Sequence, residues 1–138
     1  MRTLYAVARM ALAWVFIWAG LDVVRRPLQA AKTAGPLLEA ARARSPVAIP
    51  DDETIVRANA AAQLAAGTAL AAGIAPRLAA GVLIGSLVPT TYAGHRFWTF
   101  DEHAQRTGQR NHFNKNLGLF GGLLLVILGG GKHGGSRW

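Results

Sequence analysis

The feature that most constrains this chain is the length of its uncharged stretches. Ala58 to Ala75, Leu78 to Gly94 and Asn116 to Gly131 contain no Asp, Glu, Lys or Arg, and Met10 to Leu21 is equally free of them. A helix in water needs a charged face. These stretches offer none, which argues against a soluble, alanine-rich bundle and for helices solvated by lipid. With 138 residues there is room for one domain, and bilayer-crossing helices of about 20 residues would occupy most of it. The expected fold is an all-α integral membrane four-helix antiparallel bundle, with spans at 4–24, 55–75, 78–94 and 114–131 and a flexible tail at 132–138.

The first span stops at Arg25-Arg26-Pro27, where two cations reach the interface and proline ends the helix. Arg2 precedes the apolar run as in a secretory signal, but Gly20-Leu21-Asp22 lacks a small-x-small cleavage site, so the span reads as retained. Trp14 and Trp18 lie one turn apart and read as a packing face. Arg9 can snorkel to head groups, and Asp22 can pair with Arg25 or Arg26. From Pro27 to Pro50 runs a connector with four prolines, in which Pro36 to Arg44 predicts a short interfacial helix with Leu37, Leu38 and Ala41 toward lipid. Asp51, Asp52 and Glu53 then open the second span, where carboxylates suit the positive helix end.

That second span holds ten alanines between Ala58 and Ala75, together with Asn59, Gln63 and Thr68. It is only mildly apolar, so its neighbours should enclose it, and the amides of Asn59 and Gln63 need partners on other helices. A turn from Gly73 to Arg77 makes spans two and three an antiparallel pair. Gly81 with Gly85, and Gly118 with Gly122, have the small-x-x-x-small spacing that lets helices approach, within the chain or between copies, and Pro89 should kink the end of the third span.

In an up-down bundle the first helix ends, the second begins, the third ends and the fourth begins on one side. Asp22, Arg57, Asn59, Gln63, His95, Arg96, Trp98, His112, Asn114 and Lys115 therefore converge on a polar mouth that is the candidate ligand site, with Asp22, Arg57 and Arg96 leading candidates for a buried network. The opposite side carries little beyond Arg2, Arg77, Lys132 and Arg137, so the positive-inside rule places the mouth in the cytoplasm.

Several chemistries are disfavoured. With no cysteine there are no internal disulfides, thiol redox steps or cysteine-held clusters. His95, His103 and His112 lie eight and nine residues apart, which is not the one-turn spacing of paired metal ligands, so no metal is expected. The net charge of +8 sits at helix ends beside lipid head groups, which makes the bilayer the expected partner in place of nucleic acid. No hydrolase, Walker or dinucleotide motif occurs, and no catalytic residue is assigned.

Pro89-Thr-Thr-Tyr-Ala-Gly-His-Arg-Phe-Trp98 and Asn114-Lys-Asn-Leu-Gly-Leu119 resemble motifs of the DoxX family of small bacterial membrane proteins, the actinobacterial branch most closely. Phe16 to Gly20, Arg57 to Ala60 with Gln63, and Pro76-Arg77 extend the resemblance over nearly the whole chain. It implies a four-helix fold in the bacterial cytoplasmic membrane. It also implies an association with redox physiology, since members are named for a subunit of a thiosulfate:quinone oxidoreductase and some are linked to oxidative-stress complexes. The expected function is an accessory, partner-docking subunit of such a system without independent catalysis, contacting redox proteins, with His95, Arg96 and Trp98 either anchoring a helix end at the interface, the favoured role, or donating to a bound quinone. The alternative is a small transporter or lipid-binding module, motivated by the amides of the second span and by Pro89.

Overall fold

The computed structural model describes residues 2–129. They form α1 (Arg2–Arg25), α2 (Pro27–Arg42), α3 (Asp52–Ala72), α4 (Pro76–Gly94), a single 3₁₀ turn (Phe97–Thr99) and α5 (His103–Gly129). The chain is all-α over these residues. The end of the fourth expected span and the expected tail at 132–138 lie outside the described residues.

Each boundary has a local cause. α1 ends at Arg25, and Arg26 leaves helical geometry at φ −136° and ψ 67°. Pro27 then occupies the first turn of α2, where a missing N–H is harmless. Asp51 caps α3 by accepting from the Thr54 N–H at 3.0 Å and from the Thr54 hydroxyl at 2.7 Å. The Thr54 N–H, followed by its hydroxyl, holds the Asp51 carboxyl below its ordinary pKa. At the other end Gly73 takes φ 78°, with Gly73 N–H on the Leu70 carbonyl and Ile74 N–H on the Ala69 carbonyl. This double closure satisfies carbonyls the helix would otherwise orphan. Ala75 also turns left-handed, at φ 41°, before Pro76 opens α4. Arg9 lays its guanidinium against Gly73, where its charge meets the negative end of α3, and over the Tyr5 ring at 5.9 Å.

α3 is the central helix. Val56, Ala60, Gln63, Ala66, Gly67 and Leu70 are buried at helical spacing, so its alanines serve close packing with its neighbours. α1 approaches most tightly: a Cβ on Gly20 would lie 2.8 Å from the Ala60 carbonyl oxygen, and one on Gly67 2.9 Å from Ile17 Cγ1. The core closes where Ala13 and Phe16 of α1, Ala66 and Leu70 of α3, Ala79, Ala80, Leu83 and Leu87 of α4, and Leu123 and Val126 of α5 meet.

Several expectations are corrected here. Trp14 and Trp18 stack on each other at 6.1 Å but are 61% and 62% exposed, so they face outward and do not pack the core. The interfacial helix is longer than expected, starting at Pro27, and its half-buried Leu37 and Leu38 face a cavity inside the bundle where contact with lipid was expected. The fourth helix begins at His103, about three turns before position 114, because His103 to Asn116, though polar, contains no proline and helix formation needs no apolar face at its exposed end. Gly81, Gly85 and Gly118 make no close helix approach within the chain, since a Cβ there meets nothing within 4 Å; only Gly122 has a neighbour, Leu12 Cδ1 at 3.3 Å. By length and hydropathy one helix of the described residues, Thr3–Arg25 with mean hydropathy 1.7, passes as a membrane span by itself. α3 and α4 are diluted by alanine, amides, Ser and Thr, and α5 by its polar first half.

Candidate functional site

A half-open cavity of about 520 Å³ lies among all five helices. α1 contributes Val15, Phe16, Ala19, Asp22, Val23 and, just beyond its end, Arg26. α3 contributes Ile55, Val56, Asn59, Ala60 and Gln63. From α4 come Leu87, Pro89, Thr90, Ala93 and Gly94, followed by His95, and from α5 come Asn116 and Leu119. α2 supplies the remaining wall with Gln29, Ala30, Thr33, Ala34, Leu37 and Leu38. Its apolar positions recur every three or four residues, so one stripe faces the cavity while Lys32, Glu39 and Arg44 stay exposed.

α2 packs chiefly on α3, with further contact to α4 and α1. Arg42 pairs with Asp52 at 2.7 Å and also donates to the Pro50 carbonyl, tying the end of α2 to the start of α3. Gly35 lies against the same carboxylate, where a Cβ would sit 3.3 Å from Asp52 Oδ2. Toward α4, a Cβ on Gly94 would meet Thr33 Cγ2 at 3.9 Å.

Three polar groups of the wall, Gln63, His95 and Asn116, pair with another helix, and the rest bond locally or not at all. Gln63 and Ser86 are 8% and 5% exposed, and Gln63 Nε2 donates to Ser86 Oγ at 2.7 Å, which answers the need of an amide in a buried helix. Asn116 Nδ2 donates to Thr91 Oγ1 at 2.9 Å, joining α5 to α4. Asp22 and Arg26 form an exposed ion pair at 2.9 Å at the rim. His95 Nδ1 lies 2.8 Å from Gln109 Oε1, and the His95 ring stacks on His112 at 5.0 Å and 11°. His112 precedes the uncharged part of α5, and desolvation lowers its pKa, helped by the nearby charges of Lys115 and His95.

Of the residues singled out from the sequence, Asp22, Asn59, Gln63 and His95 line this cavity. Arg57, Arg96, Trp98, Asn114 and Lys115 do not. Arg57 is exposed and pairs with Glu53 at 2.8 Å on its own helix, and Asp22 pairs one turn away. The expected buried network of Asp22, Arg57 and Arg96 is therefore replaced by separate local pairs, because each arginine is long enough to stay in polar surroundings. Trp98 is 49% exposed and joins an aromatic cluster, tilted on Tyr92 at 6.2 Å and edge-on to Phe97 at 5.2 Å and Phe113 at 6.4 Å. Asn114 and Lys115 lie exposed on α5. No group of three or more His, Asp or Glu that could hold a metal occurs among the described residues.

Ser86, Thr91, Gln109 and Asn116 are parts of the site that sequence reasoning passed over, as is the whole inner face of α2. Asn116 sits inside a quoted motif, and Ala30, Ala34, Leu37 and Leu38 have helical spacing, so both left a signal.

An apolar α1 with one face exposed along its length and a largely apolar cavity among the helices are features a small helical membrane protein would carry. Residues 4–96 match the sequence model of the DoxX family, and the chain belongs to that family of membrane proteins. The match takes in α1 to α4 and stops at Arg96, before α5 and the Asn114 to Leu119 motif. No curated protein and no solved structure matches the chain.

Proposed function

We propose that the chain is a multi-pass protein of the cytoplasmic membrane in which α1, α3, α4 and α5 cross the bilayer and α2 covers a ligand cavity at one end of the bundle. In this reading it is an accessory, partner-docking subunit of a membrane oxidoreductase or oxidative-stress system, it takes up a quinone, and it has no independent catalysis. The observation that carries the reading is the cavity itself. Its walls are chiefly apolar, with amides and one histidine as hydrogen-bonding groups, which is how sites for lipophilic cofactors are built. The outward faces give further support: Leu78, Val82 and Val88 of α4 and Leu117, Leu125 and Leu128 of α5 are exposed, as are Leu4, Val7, Met10, Trp14 and Trp18 of α1.

Purification in mild detergent, followed by mass spectrometry of partners and extraction of bound quinone, tests this role. The expected outcome is co-purifying redox proteins and quinone, with quinone occupancy reduced by His95→Ala. If the protein emerges alone and without quinone, and His95→Ala and Arg96→Ala change nothing in the cell, the role as an accessory subunit fails. The amphipathic α2 wall of the cavity favours a second reading, a lipid-binding or transport module, for which substrate flux in vesicles free of redox partners is the expected signature.

A further inference from the structure

The charged side chains of the cavity wall, Asp22 and Arg26, form an exposed pair at 2.9 Å and neutralise each other. The other hydrogen-bonding groups of the lining are the carboxamides of Gln29, Asn59, Gln63 and Asn116, the hydroxyls of Thr33 and Thr90, and the His95 imidazole. Gln63 spends one N–H on Ser86, and Asn116 one on Thr91. Asn59 makes no side-chain hydrogen bond among the described residues, although it is half-buried in an apolar surround. A carboxamide without a protein partner on the wall of a largely apolar cavity is free to bond a ligand there.

Asn59 and Gln63 are one turn apart on α3, which separates their side-chain origins by about 5–6 Å. Both line the same cavity, and each keeps at least one N–H uncommitted. Leu37 and Leu38 of α2, Phe16 of α1 and Leu87 of α4 line the same cavity. This arrangement suits a molecule with two acceptor oxygens about a helical turn apart and an apolar body. It disfavours a charged head, because Asp22 and Arg26, the ion pair of the lining, already neutralise each other.

We propose that the cavity binds an amphiphile whose uncharged head carries two acceptor oxygens and sits inward on Asn59 and Gln63, with its apolar part against Leu37 and Leu38. The proposal deepens the functional reading above and rests on its placement of the bundle in a bilayer. Two sources supply this head chemistry, a ring with opposed carbonyls, as in a benzoquinone, and the ester and hydroxyl oxygens of a neutral acylglycerol.

The test uses the full chain in phosphatidylcholine nanodiscs with three probes: a decyl-substituted benzoquinone, monoolein and phosphatidylglycerol. At least one of the two neutral probes binds one to one, and whichever it is identifies the source. Phosphatidylglycerol added to the disc does not displace it. Asn59→Leu weakens binding about two- to tenfold, the loss expected for a net hydrogen bond. Leu38→Trp, which fills the cavity from α2 and leaves α3 untouched, abolishes binding while helical circular dichroism and elution volume stay those of the parent. Binding of neither neutral probe, equal competition by phosphatidylglycerol, or parental affinity in both variants overturns the proposal. Because the isolated chain is used, absence of redox partners in a pull-down leaves these outcomes unaffected, so failure of the accessory role and failure of this site are read separately.

Discussion

Gly20 and Gly67 set the distance between α1 and α3, whereas the glycines that stand out by spacing do not. A Cβ on Gly20 meets backbone at 2.8 Å and one on Gly67 meets Ile17 at 2.9 Å, but Gly81 and Gly85 face open space. Gly20→Ala and Gly67→Ala are expected to lower stability by about 1–3 kcal/mol, the usual cost of overpacking. Gly81→Ala and Gly85→Ala are expected to be neutral or to stabilise by up to about 1 kcal/mol through helix propensity. Unfolding in detergent measures both, and a loss at Gly81 or Gly85 would mean that α4 packs on a second copy. Spacing pointed to Gly122, which Leu12 approaches at 3.3 Å, but it does not say which helix face meets a neighbour within the chain, and Gly20 and Gly67 were not singled out. The Gln63–Ser86 bond was half legible, since the need for a partner follows from an amide in an apolar helix but the partner's identity follows only from how α3 and α4 register. His112 supplies a pH prediction. Its pKa is lowered in the fold, so its contribution to stability is whole above the ordinary value of 6.5 and is lost as pH falls through the depressed one. An NMR titration of His112 should return a value below 6.5, moving upward in Lys115→Ala.

At the scale of elements, α2 is the part least visible in the sequence and the most consequential for the site. Pro27, Gly35, Pro36 and mixed charges suggest a connector, yet proline is harmless in the first turn, and the amphipathic stripe through Leu37 and Leu38 finds a wall to complete. α2 borders the cavity, packs on α3 and α4, and is pinned at its end by Arg42 on Asp52 and Pro50. Arg42→Gln is expected to speed amide hydrogen exchange across residues 27–42 several-fold without changing exchange in α3. The chain has no cysteine, so an engineered pair is unambiguous. Thr33→Cys with Gly94→Cys joins α2 to α4 where Thr33 Cγ2 and a Gly94 Cβ would lie 3.9 Å apart. Oxidation is expected to slow loading of the cavity, and reductant to restore it; equal loading rates in both states would assign α2 a fixed structural role. α5 was recovered in its apolar half and missed in its polar half, because hydropathy reports what lipid tolerates and helix formation also occurs in water.

Over the whole molecule, the apolar stretches, the central place of the alanine-rich helix and the family were legible in the sequence, while the cavity was not, since it exists only where five helices meet. Charge is distributed as unevenly as the helices are. Every Asp and Glu of the chain lies between Asp22 and Asp52-Glu53 or at Asp101-Glu102, together with ten of the fifteen Lys and Arg, in the segments that an up-down bundle gathers at the cavity end. Ala75, in the turn from α3 to α4, belongs to the other end. Each inference about the site depends on this two-ended arrangement, and the positive-inside rule would set the cavity end in the cytoplasm. Single cysteines placed at Val47, Ala75 and Asp101 in the cysteine-free chain, probed with a membrane-impermeant maleimide in intact and permeabilised cells, test it most directly. The arrangement predicts that position 75 labels in intact cells and that 47 and 101 label only after permeabilisation; labelling of all three from the same side would contradict it.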